Sequence, residues 1–272
     1  MLLYEFYTDL ERELPENEPH STALHSDVST IKEFLMKPLI SNQHGAIVMA
    51  LLPFLYGMLL SKPLWLHFLL LLSWFSLYLM TYPFLALFKG RNLALYRRWT
   101  FIYGGASLMF AILPLWYNPR ILCFLGAMLP FVLINIYYTR QKNERALLND
   151  IAAILIFAIA GMAAYFFSQQ KWDQNMLSIA LYPTLFFVGT TLYVKSVMRE
   201  RKNPRYYYLS CVFHTLCVVI GLFVNIGVAL AYLLPMLRAI FLPKYKLSVK
   251  QIGLIEFIIS LYFLIVLYVA TA

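Results

Sequence analysis

The sequence predicts an all-α, polytopic integral membrane protein with nine transmembrane helices. Three observations carry that expectation. Of 272 residues, 61% are hydrophobic and only 13% are charged. Soluble domains carry about 25% charged residues, and a soluble fold of this length does not hide so much apolar surface. The apolar residues gather into nine runs, each near the roughly 20 residues that cross a hydrocarbon core. In a nine-span alternation, 19 of the 22 Lys and Arg residues fall on one side. The same composition excludes disorder, a coiled coil and a small disulfide-stapled secreted domain.

The runs are 45–61, 63–88, 99–117, 119–138, 149–168, 175–195, 206–226, 228–243 and 251–271. The span 63–88 is long enough to tilt or to break at Pro83, and 228–243 is short and carries Arg238. The connecting loops are short and leave no room for a soluble catalytic domain. Any function therefore sits on the helices or their loops.

Orientation follows from the excess of Lys and Arg expected in cytoplasmic loops. An N-terminus inside puts Arg12, Lys32, Lys37, Lys89, Arg91, Arg97, Arg98, Arg140, Lys142 and Arg145 on the inner side. Lys195, Arg199, Arg201, Lys202, Arg205, Arg238, Lys244, Lys246 and Lys250 join them. The outer loops hold Lys62, Arg120 and Lys171. The expected N-terminus is cytoplasmic and the C-terminus lies outside.

Residues 1–43 form a leader with 3 basic and 8 acidic residues, too acidic for a signal or transit peptide. Ser29 or Thr30 is a fitting cap for a short helix over 29–37. That helix puts Ile31, Phe34 and Leu35 on one face and would lie along the inner membrane surface. Residues 10–28, with Pro15 and Pro19, read as a linker. The leader is either a solvated tail or a segment that folds back over the basic inner face and gates it. Residues 44–272 make up the nine-helix membrane domain.

Ionisable groups inside a bilayer are costly, about +2.5 to +3.5 kcal/mol at mid-depth on insertion scales, so each one calls for a reason. His44 opens span 1, Asn135, Tyr137 and Tyr138 close span 4, and Asp150 opens span 5. Tyr193 and Lys195 close span 6. His214 and Glu256 lie inside spans 7 and 9. All fall in the cytoplasmic half, which predicts a polar cavity open to the cytoplasm rather than a through-pore. Each also has a plainer role. The tyrosines suit an aromatic belt, and Asn135 suits interhelical hydrogen bonding. Asp150 suits a helix cap, and Glu256 suits a pair with Lys250. Cys123, Cys211 and Cys217 lie within spans without metal-ligand spacing, and the five histidines show no i, i+4 pair.

The string Asn42-Gln43-His44-Gly45-Ala46, leading into an apolar helix with Pro53, resembles the YwiC-like family of bacterial membrane proteins. The Tyr-rich and Lys/Arg-rich inner loops resemble it too. Ile47 stands where the family pattern expects Trp. The resemblance covers residues 40–272 and implies a bacterial cytoplasmic (inner) membrane location. That family carries no assigned reaction. A more distant resemblance is to the UbiA superfamily of intramembrane prenyltransferases, which implies a UbiA-like helical bundle. Tyr138-Thr-Arg-Gln-Lys142 matches that superfamily's Tyr-x-x-x-Lys at the end of the fourth helix, an i, i+4 spacing that aims both side chains one way.

The departures from that superfamily bear on cofactors. Its members hold Mg²⁺ through two aspartate-rich motifs after the second and sixth helices, and magnesium takes hard oxygen ligands. Here residues 81–91 contain no carboxylate, and Lys195 and Arg199 stand where an aspartate pair would fall. No cofactor is expected, and Mg²⁺ in particular is not. Lys and Arg bind phosphate or carboxylate directly. The expected site therefore comprises Asn42, Gln43, His44, Asn135, Tyr138, Lys142, Asp150, Tyr193, Lys195, Arg199, His214 and Glu256. It would bind or modify an isoprenoid or anionic lipid among the membrane lipids. The alternatives are a noncatalytic subunit assembling with partner membrane proteins, or a transporter. Nucleic acid is not an expected partner, because topology accounts for the positive charge.

Overall fold

A computed structural model describes residues 38–39, 44–90 and 92–272. The leader with its expected helix at 29–37 lies outside the described residues, as do Asn42, Gln43 and Arg91. Among the described residues there are nine α-helices and no strand. They are α1 (His44–Leu60), α2 (Leu66–Leu87), α3 (Leu93–Tyr117), α4 (Leu122–Arg140), α5 (Leu147–Gln169), α6 (Gln174–Val194), α7 (Pro204–Val224), α8 (Ile226–Phe241) and α9 (Val249–Thr271). Eight are long and apolar enough to cross a membrane, counting their short 3₁₀ and π extensions, and α1 is an apolar helix of 17 residues. The chain is a multi-pass membrane protein.

The boundaries follow local chemistry. Asp173 accepts from Met176 N–H to open α6, and Ser248 with Gln251 forms a reciprocal capping box at α9. Asn225 accepts from Gly227 N–H, so one residue separates α7 from α8. α3 starts at Leu93, six residues before the expected span. Leu95 and Trp99 are buried there while Arg97 and Arg98 are exposed, so the extra turn and a half is an amphipathic overhang. Six helices hold an internal proline (Pro53, Pro83, Pro114, Pro130, Pro183 and Pro235). Membrane helices tolerate this because neighbouring groups meet the freed carbonyls.

α5 is the hub, packed on α1, α4 and α6, while α9 closes on α1 and α8. α2 and α3 form a close hairpin in which Ser73 and Ser107 each donate to the other's carbonyl. That hairpin meets the other helices only along limited stretches.

Close approach of α1 to α5 depends on two glycines. A Cβ on Gly57 would stand 2.0 Å from the Gly161 carbonyl oxygen, and one on Gly161 would stand 2.4 Å from that of Pro53. Without a solvent-driven hydrophobic force between them, membrane helices associate through such small-residue contacts.

The bundle has two chemically different ends. At one, Lys89 pairs with Glu144, and Arg140 lies over the Phe88 ring. The polar residues of α4 to α9 described below belong to that same basic end. At the other, His67 accepts from Leu64 N–H through Nδ1 and so donates through Nε2 to the Ala164 carbonyl. Asn118 donates to Phe167, Asn225 to Ala270, and Tyr56 shares a bond with Thr271. Neutral hydrogen bonds hold much of this end, beside the Lys171–Asp173 ion pair, whose carboxylate also accepts from Tyr165 OH.

Gly57→Ala and Gly161→Ala are expected to lower thermal stability in detergent by about 1–3 kcal/mol through overpacking. Gly105→Ala and Gly126→Ala meet nothing within 4 Å and should be neutral or stabilising by up to about 1 kcal/mol. Differential scanning fluorimetry of the four variants checks the contrast.

Candidate functional site

The sequence-predicted polar residues fall into two linked groups at the basic end. In the first, Asn135 on α4 donates to both the carbonyl and the side-chain oxygen of Asn149 on α5. Next along α5, Asp150 lies 2.9 Å from the Lys195 ammonium, which also donates to the Arg145 carbonyl at 2.6 Å. Lys195 is buried, its side chain only 5% exposed. Asn135 and Asp150 therefore act largely as interhelical fasteners. The Lys195 ammonium is held between Asp150 and the Arg145 carbonyl.

The second group centres on Arg238, whose side chain is 1% exposed. Its Nη1 donates to Glu256 Oε2 on α9, and its Nη2 lies 3.0 Å from His214 Nε2 on α7. His214 Nδ1 lies 2.7 Å from the Ser210 carbonyl and must donate there. Nε2 is therefore the acceptor and the imidazole is neutral. The guanidinium also sits 4.3 Å from the centre of the Tyr193 ring on α6. One arginine thus ties four helices together.

Tyr193 near the end of α6 and Lys195 just past it are two residues apart, about 200° around a continuing helix. One side chain faces α8 while the other reaches α5, so α6 links the two groups. Beyond Val194 the helix loosens into a π turn over Lys195–Arg199, closed by Glu200 N–H to the Lys195 carbonyl at 2.7 Å.

Other expected members are not brought in. α4 ends at Arg140, and Lys142 has φ +56°. Lys142 N–H bonds Thr139 and Asn143 N–H bonds Tyr138, the paired bonds that terminate a helix at a left-handed residue. The helical i, i+4 relation expected between Tyr138 and Lys142 is broken there. Glu256 pairs with Arg238 and not with the exposed Lys250. His44 opens α1 and Arg199 ends the π turn, each described by its backbone alone.

Arg238 is the participant that the sequence reading left out of the site. Its signal was present: one Arg and one Glu stand inside consecutive spans joined by a short loop, and a hairpin of such spans can set them at one depth. Among the described residues, no three His, Cys, Asp or Glu side chains converge as metal ligands.

A separate apolar cleft of about 370 Å³ lies between the α2–α3 hairpin and α4–α5, within the ~300–1,000 Å³ range of ligand pockets. Trp74, Leu77, Met80, Phe124 and Met128 are among its walls, and Ser73 and Ser107 are its polar lining, bonded to each other. The exposed Leu108, Leu122 and Leu125 stand at its rim. It occupies the parts of α3 and α4 farther from the basic end, and none of the expected site residues lines it.

Lys142→Gly is expected to keep or raise thermal stability by up to about 1 kcal/mol, since glycine takes the left-handed conformation without strain. Lys195→Met, which strips the ammonium from Asp150 and Arg145, should lower it by about 1–3 kcal/mol. Parallel melting curves of the two variants read the difference.

Two curated proteins and one family profile are similar to this chain. The family profile described as "YwiC-like protein" matches residues 40–165, which include α1 to α4 and most of α5. An "Uncharacterized protein" of Haemophilus influenzae is 60% identical over 237 residues, 87% of this chain and all of that protein. The "Uncharacterized protein YwiC" of Bacillus subtilis is 38% identical over 233 residues, 85% of this chain and 98% of that protein. No solved structure matches. With the profile on its first five helices and YwiC itself similar along nearly its whole length, the chain belongs to the YwiC-like family.

Proposed function

We propose that this protein binds an isoprenoid- or lipid-type amphiphile, its apolar chain in the cleft between α2–α3 and α4–α5. The cleft carries the reading. It is apolar, wide enough for a ligand, and its two serines satisfy each other, so it asks for hydrocarbon and nothing polar. The same helices bear the charge for an anionic head. Arg97 and Arg98 are exposed on α3, and Gly104 at the cleft is seven residues further on, about 10 Å along the helix. A head held by Arg97, Arg98 and Lys142 at the basic end sends its chain towards the cleft.

In this reading the basic end faces the cytoplasm of a bacterial cell, across the inner membrane, by the same positive-inside argument. Guanidinium and ammonium groups hold the head directly, without magnesium. A UbiA-like modification of the bound lipid is the finer form of the proposal.

Lipid extraction and mass spectrometry of the purified protein tests it. A defined isoprenoid or anionic lipid should co-purify with wild type and fall severalfold in Ala111→Phe and Ala163→Phe, which fill the cleft. Leu129→Phe, on an exposed face of α4, should leave it unchanged. Loss also in the Arg97→Gln/Arg98→Gln variant supports the head assignment, and retention there overturns it. Unchanged lipid in the cleft-filled variants overturns the proposal itself.

A further inference from the structure

We propose that Thr190, Tyr193, His214, Arg238 and Glu256 enclose an internal site for a neutral, hydrogen-bonding ligand, and that its occupant is bound water. The site is separate from the apolar cleft and does not depend on the lipid reading.

Four polar atoms around Arg238 are buried and meet no hydrogen-bond partner among the described residues. They are Thr190 Oγ1, Tyr193 OH, Arg238 Nε and Glu256 Oε1. Buried polar groups are almost always paired, with protein or with ordered water. These four belong to residues that touch one another or stand one helical turn apart. Arg238 bonds Glu256 and covers the Tyr193 ring. Thr190 lies three residues before Tyr193, on the same helical face. The neighbouring Gly189 is packed so closely that a Cβ there would stand 2.9 Å from His214 Nε2. The 189–193 stretch of α6 thus forms one wall, and α7, α8 and α9 supply the others. Tyr193 is fully buried, and the Arg238 side chain is 1% exposed.

Charge decides the class of ligand. The Arg238 cation is balanced by the Glu256 anion, and His214 is neutral because its Nε2 accepts from Arg238 while its Nδ1–H is spent on Ser210. An incoming anion would face the carboxylate, and an incoming cation the guanidinium. A neutral molecule avoids both. Arg238 Nε is a donor, Glu256 Oε1 is an acceptor, and the Thr190 and Tyr193 hydroxyls are both. The occupant must therefore donate and accept. Water does both, and an internal water typically makes about three such bonds. A hydrated pair also explains how Glu256 keeps a second oxygen buried beside only one guanidinium nitrogen.

Synchrotron radiolytic footprinting of the full chain in nanodiscs tests the site, because bound water generates hydroxyl radicals in place and marks adjacent side chains. Tyr56 and Tyr232 are the controls. They are as buried as Tyr193, but their hydroxyls are bonded to Thr271 and to the Tyr182 carbonyl. The expected result is labelling of Tyr193 and His214 severalfold above both controls. Thr190→Val with Tyr193→Phe removes two partners while keeping an aromatic ring under Arg238, and His214 labelling should then fall to control level. Labelling of Tyr193 and His214 no greater than the controls in wild type overturns the proposal. So does His214 labelling that the double variant leaves unchanged.

Discussion

A charge inside a bilayer has to be matched inside the protein, and the Arg238–Glu256 pair is where this chain meets that demand most completely. Removing one partner of a buried ion pair typically costs about 3–5 kcal/mol, because the other charge is then left unmatched. The pair therefore fixes more than two side chains. α8 and α9 must keep their depths, α7 must present His214 as an acceptor, and α6 must slide Tyr193 beneath the guanidinium. Lys195 and Asp150 repeat the device one helix over, joining α6 to α5. The basic end is held by charge and the residues that answer it.

The other end reaches order by different means. His67, Asn118, Tyr56 and Asn225 spend neutral hydrogen bonds on backbone carbonyls or on Thr271. Between the ends, Gly57 and Gly161 let α1 and α5 touch backbone to backbone. This close seam contrasts with the α2–α3 hairpin, which is tight within itself and loosely seated against α4 and α5. The cleft is the consequence. Large side chains such as Trp74 and Phe124 hold its walls apart. An apolar cleft at the rim of a membrane bundle favours hydrocarbon because water has no partner there.

Much of this was legible in the sequence because its causes are one-dimensional. Apolar run length predicts nine helices, and the nine among the described residues differ from them mainly at their ends. α3 begins at Leu93 because an amphipathic overhang continues a helix past its apolar run. The depth of polar residues pointed to Asp150, Tyr193, Lys195, His214 and Glu256 as neighbours at one end, and they are joined there. Partner choice was not legible, because it depends on rotation about each helix axis. Lys195 meets Asp150 across α5, and Glu256 meets Arg238 across α8. The Tyr138–Lys142 spacing failed for a local reason: helical periodicity stops where Lys142 turns left-handed. The cleft had no sequence signal, since its lining is made of the same Leu, Met, Phe and Ala as every lipid-facing surface.

A double-mutant cycle on Arg238 and Glu256 tests most directly whether their pair organises the bundle. Arg238→Met, Glu256→Leu and the double variant would be compared with wild type by reversible unfolding in mixed micelles. Each single change is expected to be severely destabilising, and the double variant more stable than the sum of the two losses requires. The coupling should fall in the upper part of the roughly 0.5–3 kcal/mol range seen for contacting residues. Additive losses, with no coupling beyond error, would contradict an organising role for the pair.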